Sequence, residues 1–259
     1  MRGAGTTARC RVIGVVGLAI TVTFGMALPV AAAPIGARAA GGGDAAAGAL
    51  DQSVRCLTDR RPGDTVQGFR TDRFTADIPA RTGVDALGAL WLQTDNWPVS
   101  FGGGSGGCWL GGDIIGTYPQ STAWSDFHHT GGMNFTNANF TINGLRVHNI
   151  GDGIRVRAGA DNFRITGVHL SFIHDDCIEN DQLYSGIVEN NVFRADSKPN
   201  HRTLGLPKGY DVKCSNNVVV WLGKGRYPDH LPKCFTVTRD RQVWDRAVAK
   251  WHAAHPTNP

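Results

Sequence analysis

Residues Phe140–Phe193 contain a short repeat that predicts the fold of the chain. The segment Phe140–Val147 (FTINGLRV) is followed 23 positions later by Phe163–Leu170 (FRITGVHL), and Val188–Phe193 (VENNVF) keeps the same offset from Ile165. Repeats of this length, made of β-branched residues with Asn and Gly at the turns, are typical of the coils of a parallel β-solenoid. A single coil cannot bury its own apolar face, so the repeats must stack on one another.

We predict an all-β fold, a short right-handed parallel β-helix (solenoid) with a C-terminal capping α-helix. A fourth pass of the repeat, Cys214–Val219 (CSNNVV), follows the third after a slightly longer step. Apolar residues then recur at helical spacing between Asp240 and Trp251, and Asp240 is a suitable N-cap. We therefore place the capping helix near residues 240–255. Paired asparagines at the turns are expected to hydrogen-bond along the stack.

The N-terminus has the features of a secretory signal. Three arginines precede an apolar stretch at residues 12–28, and the alanines that follow offer small side chains for cleavage. The protein is therefore expected to be secreted, with no membrane span after cleavage. The predicted organisation is a signal peptide at residues 1–33, a disordered Ala/Gly-rich lead-in at 34–50, and a single domain at 51–259.

The charge distribution argues against a nucleic-acid partner. The formal net charge is +4, and the charges are interspersed without a basic run. A binding surface for nucleic acid or for an anionic membrane usually requires such a run. The expected partner is instead a polysaccharide substrate or a glycan ligand, and we expect the protein to be a monomer.

Five cysteines follow the apolar stretch, and an even subset of them should pair outside the cell. Cys56 could reach Cys108, and Cys214 and Cys234 bracket one strand and loop. Cys177 occupies the position of a glycine in the repeat and is interpreted as a buried thiol. Sequence alone does not determine the pairing.

Clustered aspartates are the strongest indication of chemistry in the sequence. Asp152-Gly153-Ile154 on one coil is matched by Asp176-Cys177-Ile178 on the next, 24 positions later. Stacked coils would place Asp152 and Asp176 roughly 4.8 Å apart, with Asp175 beside them. Carboxylates so close cannot all ionise, so one pKa rises and that group can donate a proton near neutrality. Its ionised neighbours can activate water.

These two segments resemble motifs of the secreted polygalacturonase-type glycoside hydrolases, in the pectin-lyase-like β-helix superfamily. The family motifs read Asn-Thr-Asp-Gly-Ile/Phe and Gln-Asp-Asp-Cys-Ile, and the corresponding segments here are 150–154 (IGDGI) and 174–178 (HDDCI). The resemblance implies an inverting hydrolase in which Asp175 is the general acid, and Asp152 with Asp176 holds the attacking water.

The resemblance covers about one-eighth of the chain. The Gly-His-Gly and Arg-Ile-Lys motifs of those hydrolases do not occur in this sequence. Overall, the chain is more similar to uncharacterised secreted β-helix proteins of bacteria.

Several residues near the aspartates are candidates for substrate binding. His174 adjoins Asp175 and is expected to tune the acid. Arg155 and Glu179 are 24 positions apart and should form an ion pair between neighbouring strands. The predicted substrate-binding residues are His174, Tyr184, Arg155, His201 and Arg202.

The function that this pattern favours is hydrolysis of an extracellular polysaccharide, uronate-containing ones included. We predict that no cofactor and no metal is required. One alternative is a Ca²⁺-dependent polysaccharide lyase, in which Arg155 or Lys198 is the nearest basic group. The other is a non-catalytic, glycan-binding or structural β-helix, in which the aspartates bond backbone amides at the corners.

Overall fold

The computed structural model describes residues 56–93, 96–119, 121–195, 212–221 and 235–255. It is a parallel β-solenoid of about six turns with a C-terminal helix, which confirms the predicted fold class. The predicted signal peptide and lead-in lie outside the described residues. So do Lys198, His201, Arg202 and Cys234.

The strands of the described ranges are β1 (Arg61–Arg70), β2 (Phe74–Ile78), β3 (Thr82–Gln93), β4 (Val99–Gly103), β5 (Cys108–Leu110), β6 (Asp113–Gly116), β7 (Gly131–Phe135), β8 (Thr141–Asn143), β9 (Arg146–Ile150), β10 (Asp152–Val156), β11 (Phe163–Thr166), β12 (His169–Ile173), β13 (Ile178–Glu179), β14 (Gly186–Glu189), β15 (Val192–Ala195), β16 (Val212–Ser215), β17 (Asn217–Trp221) and β18 (Phe235–Thr238). The helices are α1 (Trp124–Phe127) and α2 (Arg241–Ala254), and residues 56–58 form a single helical turn.

The strands form two parallel sheets that wrap around one core. A 13-stranded sheet bends at the long strand β3, from which one arm runs β5-β8-β11-β14-β16 and the other β6-β9-β12-β15-β17-β18. A 5-stranded sheet, in the order β13-β10-β7-β4-β2, makes the third side. A complete coil such as β8-β9-β10 therefore places one strand on each of three faces.

The strand register reproduces the sequence repeat. Ile142, Ile165 and Val188 are successive partners on one face. On the third face Ile154 pairs with Ile178, which confirms the offset of 24 positions. These side chains are buried within a continuous apolar core whose largest members are Trp91, Trp109, Phe135, Phe140, Phe163 and Phe193.

The corner between the two arms explains why one position of the repeat is always Gly or Asn. Gly144, Gly167, Asn190 and Asn216 adopt positive φ values of 69°, 61°, 58° and 53°. Most residues with a Cβ avoid this left-handed region, whereas Gly and Asn adopt it at low cost. The turn therefore restricts these positions to those two residue types.

Asn191 and Asn217 stack beneath this corner, which was predicted from the paired asparagines at the turns of the repeat. The Asn191 amide donates to the Ile165 carbonyl (3.1 Å) and to Asn217 Oδ1 (3.0 Å). Asn191 Oδ1 accepts from the Val168 N–H at 2.9 Å. Both asparagines are completely buried. Their amides thus satisfy backbone groups that would otherwise be unpaired at the turn.

Helix α2 packs on the outside of the last coils. The Asp240 carboxylate accepts from the Gln242 N–H at 2.8 Å, so the predicted N-cap is confirmed. Trp244 and Trp251 are buried against β15 and β17, as the capping prediction required. The Trp251 indole N–H donates to the Gly167 carbonyl at 2.6 Å. The helix therefore shields the side of the solenoid near its C-terminal end.

Cys56 and Cys108 form a disulfide, with their Cα atoms 5.6 Å apart. Cys177 is a buried free thiol, as predicted. Cys214 is also disulfide-bonded. Among the described helices, none is long and apolar enough to cross a membrane.

Replacement of Asn191 by Ala should lower the free energy of unfolding by about 1–3 kcal/mol, because buried backbone groups lose their partners. Urea denaturation measures this change. Lys213→Ala removes an exposed side chain of β16 and should change the free energy by less than about 0.5 kcal/mol. Equal midpoints for the two variants would contradict a stabilising role of the stacked asparagines.

Candidate functional site

The three aspartates meet at the corner that joins the second and third faces of the solenoid. Asp152 begins β10, and Asp175 and Asp176 lie in the turn between β12 and β13. Each offers a carboxylate oxygen within 4.8 Å of the others. Hydrogen bonds between coils set this arrangement, since the Asp175 N–H donates to the Gly151 carbonyl (2.9 Å) and the Gly153 N–H to the Asp176 carbonyl (2.8 Å). The predicted juxtaposition is confirmed.

The three carboxyl groups differ in their exposure and bonding. Asp152 is buried, and its Oδ1 accepts from the Asp176 N–H at 3.1 Å. Asp175 and Asp176 are half-buried. Asp176 Oδ1 is itself shielded from solvent and has no hydrogen-bond partner among the described residues. A charge on such an oxygen is costly, which favours a proton there.

Burial changes the protonation of the cluster. It raises the pKa of Asp176 to about 9, and the negative charges of Asp152 and Asp175 add to this effect. Burial also raises the pKa of Asp152 to about 8, although its hydrogen bond from the Asp176 N–H acts in the opposite direction. Both groups therefore retain protons near neutral pH. The sequence predicted a single raised pKa caused by neighbouring charge, whereas burial is the main cause here and acts on two of the three groups.

Arg155 and Glu179 form the predicted ion pair beside the cluster. Arg155 Nε lies 3.0 Å from Glu179 Oε2, and the two residues are register partners on β10 and β13. Burial raises the pKa of Glu179, whereas the charge of Arg155 opposes that rise. The guanidinium of Arg155 also lies over the Trp97 ring, 5.7 Å from its centroid.

Trp97 is a neighbour of the cluster that the sequence interpretation missed. Its backbone N–H donates to the Gly131 carbonyl at 2.8 Å, and its φ of 58° is unusual for a bulky residue. Its ring covers Gly131 so closely that a Cβ on that glycine would lie 2.4 Å from it. Gly131 is the register partner of Asp152. The half-buried indole therefore covers the position on the neighbouring coil that is in register with Asp152.

His174 has two contacts that the sequence did not indicate. Its Nε2 lies 3.3 Å from Asn149 Oδ1, and its ring stacks on Phe127 with 3.7 Å between centroids. Burial lowers the pKa of His174 to about 4. The imidazole is therefore neutral at physiological pH and held in place by Asn149 and Phe127. Its expected role in tuning Asp175 stays a prediction.

The remaining predicted binding residues are not brought to the cluster by any described contact. Tyr184 is half-buried against the apolar core, and its N–H donates to Asn180 Oδ1 at 3.2 Å. His201 and Arg202 lie outside the described residues. The described structure thus groups Asp152, Asp175 and Asp176 with the flanking Arg155–Glu179 pair and Trp97.

The fold and this cluster define a parallel β-solenoid with an acidic patch at one corner. No protein-family model matches the chain, and searches of curated proteins and of solved structures return no match. A function must therefore be argued from the geometry and chemistry of the patch.

The raised pKa values predict that Asp152 and Asp176 lower the stability of the folded state as the pH rises above about 4. Between about pH 4 and pH 8–9 the folded state keeps protons on Asp152 and Asp176 that the unfolded chain loses. The free energy of unfolding therefore falls as the pH rises through that window. Asp176→Asn, which carries no charge, should melt roughly 2–4 °C higher than the wild type near pH 8.

Differential scanning calorimetry at several pH values tests this prediction. The advantage of Asp176→Asn, and of Asp152→Asn, should shrink towards about pH 4, where these carboxyls are protonated in the unfolded wild type as well as in the folded one. Asp126→Asn, which alters an exposed carboxyl of α1, serves as the control. A difference from the wild type that does not change with pH would show that these carboxyls are charged in the folded protein.

Proposed function

We propose that the protein is a carbohydrate-active β-solenoid that hydrolyses an extracellular polysaccharide at the aspartate cluster. The observation that carries the proposal is the meeting of three carboxyl groups within 4.8 Å at one corner of the solenoid. Two of them have raised pKa values. Hydrolysis of a glycosidic bond requires one carboxyl group that is protonated and one that activates water.

The roles of the aspartates follow from their protonation and exposure. Asp176 is half-buried with a pKa of about 9, so it can keep a proton for the leaving oxygen at neutral pH. Asp152 lies behind it, with one oxygen bonded to the Asp176 N–H. We assign proton donation to Asp176 and orientation of the attacking water to Asp175. The family resemblance instead implies that Asp175 is the general acid and that Asp152 and Asp176 hold the water.

The groups beside the cluster suit a sugar ring with a negative charge. The Trp97 indole offers an apolar face over the position on the neighbouring coil that is in register with Asp152. Arg155 leaves 38% of its side chain exposed while it pairs with Glu179, so some guanidinium donors remain available to a carboxylate. A uronate residue would present both an apolar ring face and such a carboxylate. This combination supports uronate-containing polysaccharides as the substrate class.

An extracellular location is part of the proposal. It rests on the predicted signal peptide and on the Cys56–Cys108 disulfide, because structural disulfides persist mainly in oxidising compartments.

A Ca²⁺-dependent lyase is the second candidate, and the same cluster is the observation that favours it. Three carboxylate oxygens within 4.8 Å of one another can contribute to the oxygen shell of a divalent cation. The cation would have to displace the protons of Asp152 and Asp176, so its affinity would rise with pH.

The non-catalytic alternative is favoured by a different observation. The hydrogen bond from the Asp176 N–H to Asp152 Oδ1 is the kind of bond by which an aspartate fixes a corner. In that case Asp152 would contribute to folding rather than to chemistry, and the other two carboxyls would bind glycan or have no ligand.

Release of reducing sugar from a panel of pectic and other plant and microbial polysaccharides tests hydrolysis. The wild type should release sugar with or without chelator. Asp176→Asn and Asp175→Asn should lose about 10²–10⁴-fold in rate, since each removes a group that moves a proton or positions water. Asp126→Asn should retain the wild-type rate.

Two outcomes would contradict hydrolysis by the cluster. Release that requires Ca²⁺ and yields an unsaturated product absorbing in the ultraviolet would establish the lyase. No release from any substrate by a protein with normal thermal unfolding would establish a binding or structural role.

The pH dependence of the rate separates the two assignments of the acid. If Asp176 donates the proton, kcat/KM of the wild type should fall above about pH 9, where this group loses its proton. The residual rate of Asp176→Asn should lack that alkaline decrease, whereas Asp175→Asn should keep it. The opposite result would identify Asp175 as the acid, in accord with the family resemblance.

A further inference from the structure

A cavity lies at the other end of β12 from the aspartate cluster. It is a groove of about 650 Å³ between helix α2 and the corner that contains the stacked asparagines. We call it the α2 groove. Its size is within the usual range for sites that bind small molecules. Asn143, Gly167, Lys250, Trp251 and His255 are among its lining residues.

The α2 groove is lined by buried polar residues, and the side chain of one of them, His255, contains a nitrogen without a hydrogen-bond partner among the described residues. Asn143 is only 3% exposed. Its backbone carbonyl accepts from the Gly111 N–H, and the residue lines the groove. His255 is 6% exposed, and its Nε2 has no partner among the described residues. Buried polar groups without partners are rare, which indicates that a ligand or water completes them.

The protonation of His255 defines what it can bind. Its Nδ1 lies 2.9 Å from the Trp251 carbonyl and therefore carries the hydrogen. Burial lowers the pKa of His255, so the ring is neutral at physiological pH. The free Nε2 is then an acceptor that requires a donor such as a hydroxyl.

The charge at the rim favours an anion. Lys250 is an exposed residue of α2 and lines the groove, whereas no Asp or Glu is among the lining residues of the described chain. The nearby Glu189 is paired with Arg164 at 3.2 Å. The groove thus combines one cation with an amide, an imidazole acceptor and the Trp251 wall.

We propose that the α2 groove binds a sugar acid, that is, a small ring with several hydroxyl groups and one carboxylate. Ring hydroxyls would donate to His255 Nε2 and exchange hydrogen bonds with the Asn143 amide. The carboxylate would pair with the Lys250 ammonium. This site is independent of the aspartate cluster and does not rest on the proposed hydrolysis, because it uses none of the same residues.

Titration with D-galacturonate, followed by NMR at the Trp251 indole N–H and the His255 ring, tests the proposal. The signals should shift saturably in the wild type. Lys250→Glu should weaken binding roughly tenfold or more, since it removes a charge-assisted contact and adds a repulsive one. The matched control is Arg246→Glu, which reverses an exposed charge of α2 outside the lining and should leave the affinity unchanged.

Two further ligands separate the contribution of the hydroxyl groups from that of the carboxylate. D-galactose, which has the hydroxyls without the carboxylate, and acetate, which has the carboxylate alone, should each bind at least about tenfold more weakly. His255→Phe keeps an aromatic ring beside Trp251 but removes the acceptor, and it should weaken galacturonate and galactose alike in a protein whose thermal unfolding stays cooperative.

Several outcomes would overturn the proposal. These are the absence of saturable shifts at Trp251 and His255, equal affinities of Lys250→Glu and Arg246→Glu, or binding of acetate as tight as that of galacturonate. Asp175→Asn should bind as the wild type does. Loss of the shifts in that variant would place the ligand at the aspartate cluster instead, whether or not the cluster is catalytic.

Discussion

The hydrogen-bond ladder between neighbouring coils is the constraint on which the rest of the molecule depends. Each inner strand is paired on both sides by strands one coil away, so a residue is fixed by partners 18 to 34 positions distant along the chain. The ladder determines which side chains meet, because residues in register lie only about 4.8 Å apart. Asp152 and Asp176 face each other for this reason, and so do Arg155 and Glu179. The acidic patch is thus a direct product of the stacking.

The features that could be predicted from the sequence are those that the ladder repeats. The offset between Ile165 and Val188, and the matched aspartates, follow from a periodic pattern that a reader can align by eye. Trp97 could not be found in this way, because its position depends on a positive φ value and on the missing side chain of Gly131. The contacts of His255 with the solenoid depend on where α2 packs. The sequence predicts an apolar face on this helix, but it does not indicate which strands that face contacts.

Burial shifts the pKa values of acidic and basic side chains in this solenoid in opposite directions. It raises the pKa values of Asp152 and Asp176 and lowers those of His148 and His169, to about 4 and about 3. In each case the neutral form is favoured, since the low-dielectric interior disfavours charge of either sign. The histidines therefore lower the stability as the pH falls below about 6.5, and the aspartates lower it as the pH rises. In the folded protein these four groups are therefore neutral together between about pH 4 and pH 8.

The disulfide between Cys56 and Cys108 restrains the first coils of the solenoid against unfolding from that end. A terminal coil has a neighbour on one side only, so a stacked repeat protein frays from its ends. The disulfide links residues 52 positions apart and holds the first coils in a closed loop, which restricts the frayed chain and raises the free energy of that state. Strand β18 and helix α2 lie at the opposite end. Cys214 in strand β16, among the last coils, is disulfide-bonded as well, so covalent crosslinks restrain the chain near both ends of the described solenoid and limit fraying from either side.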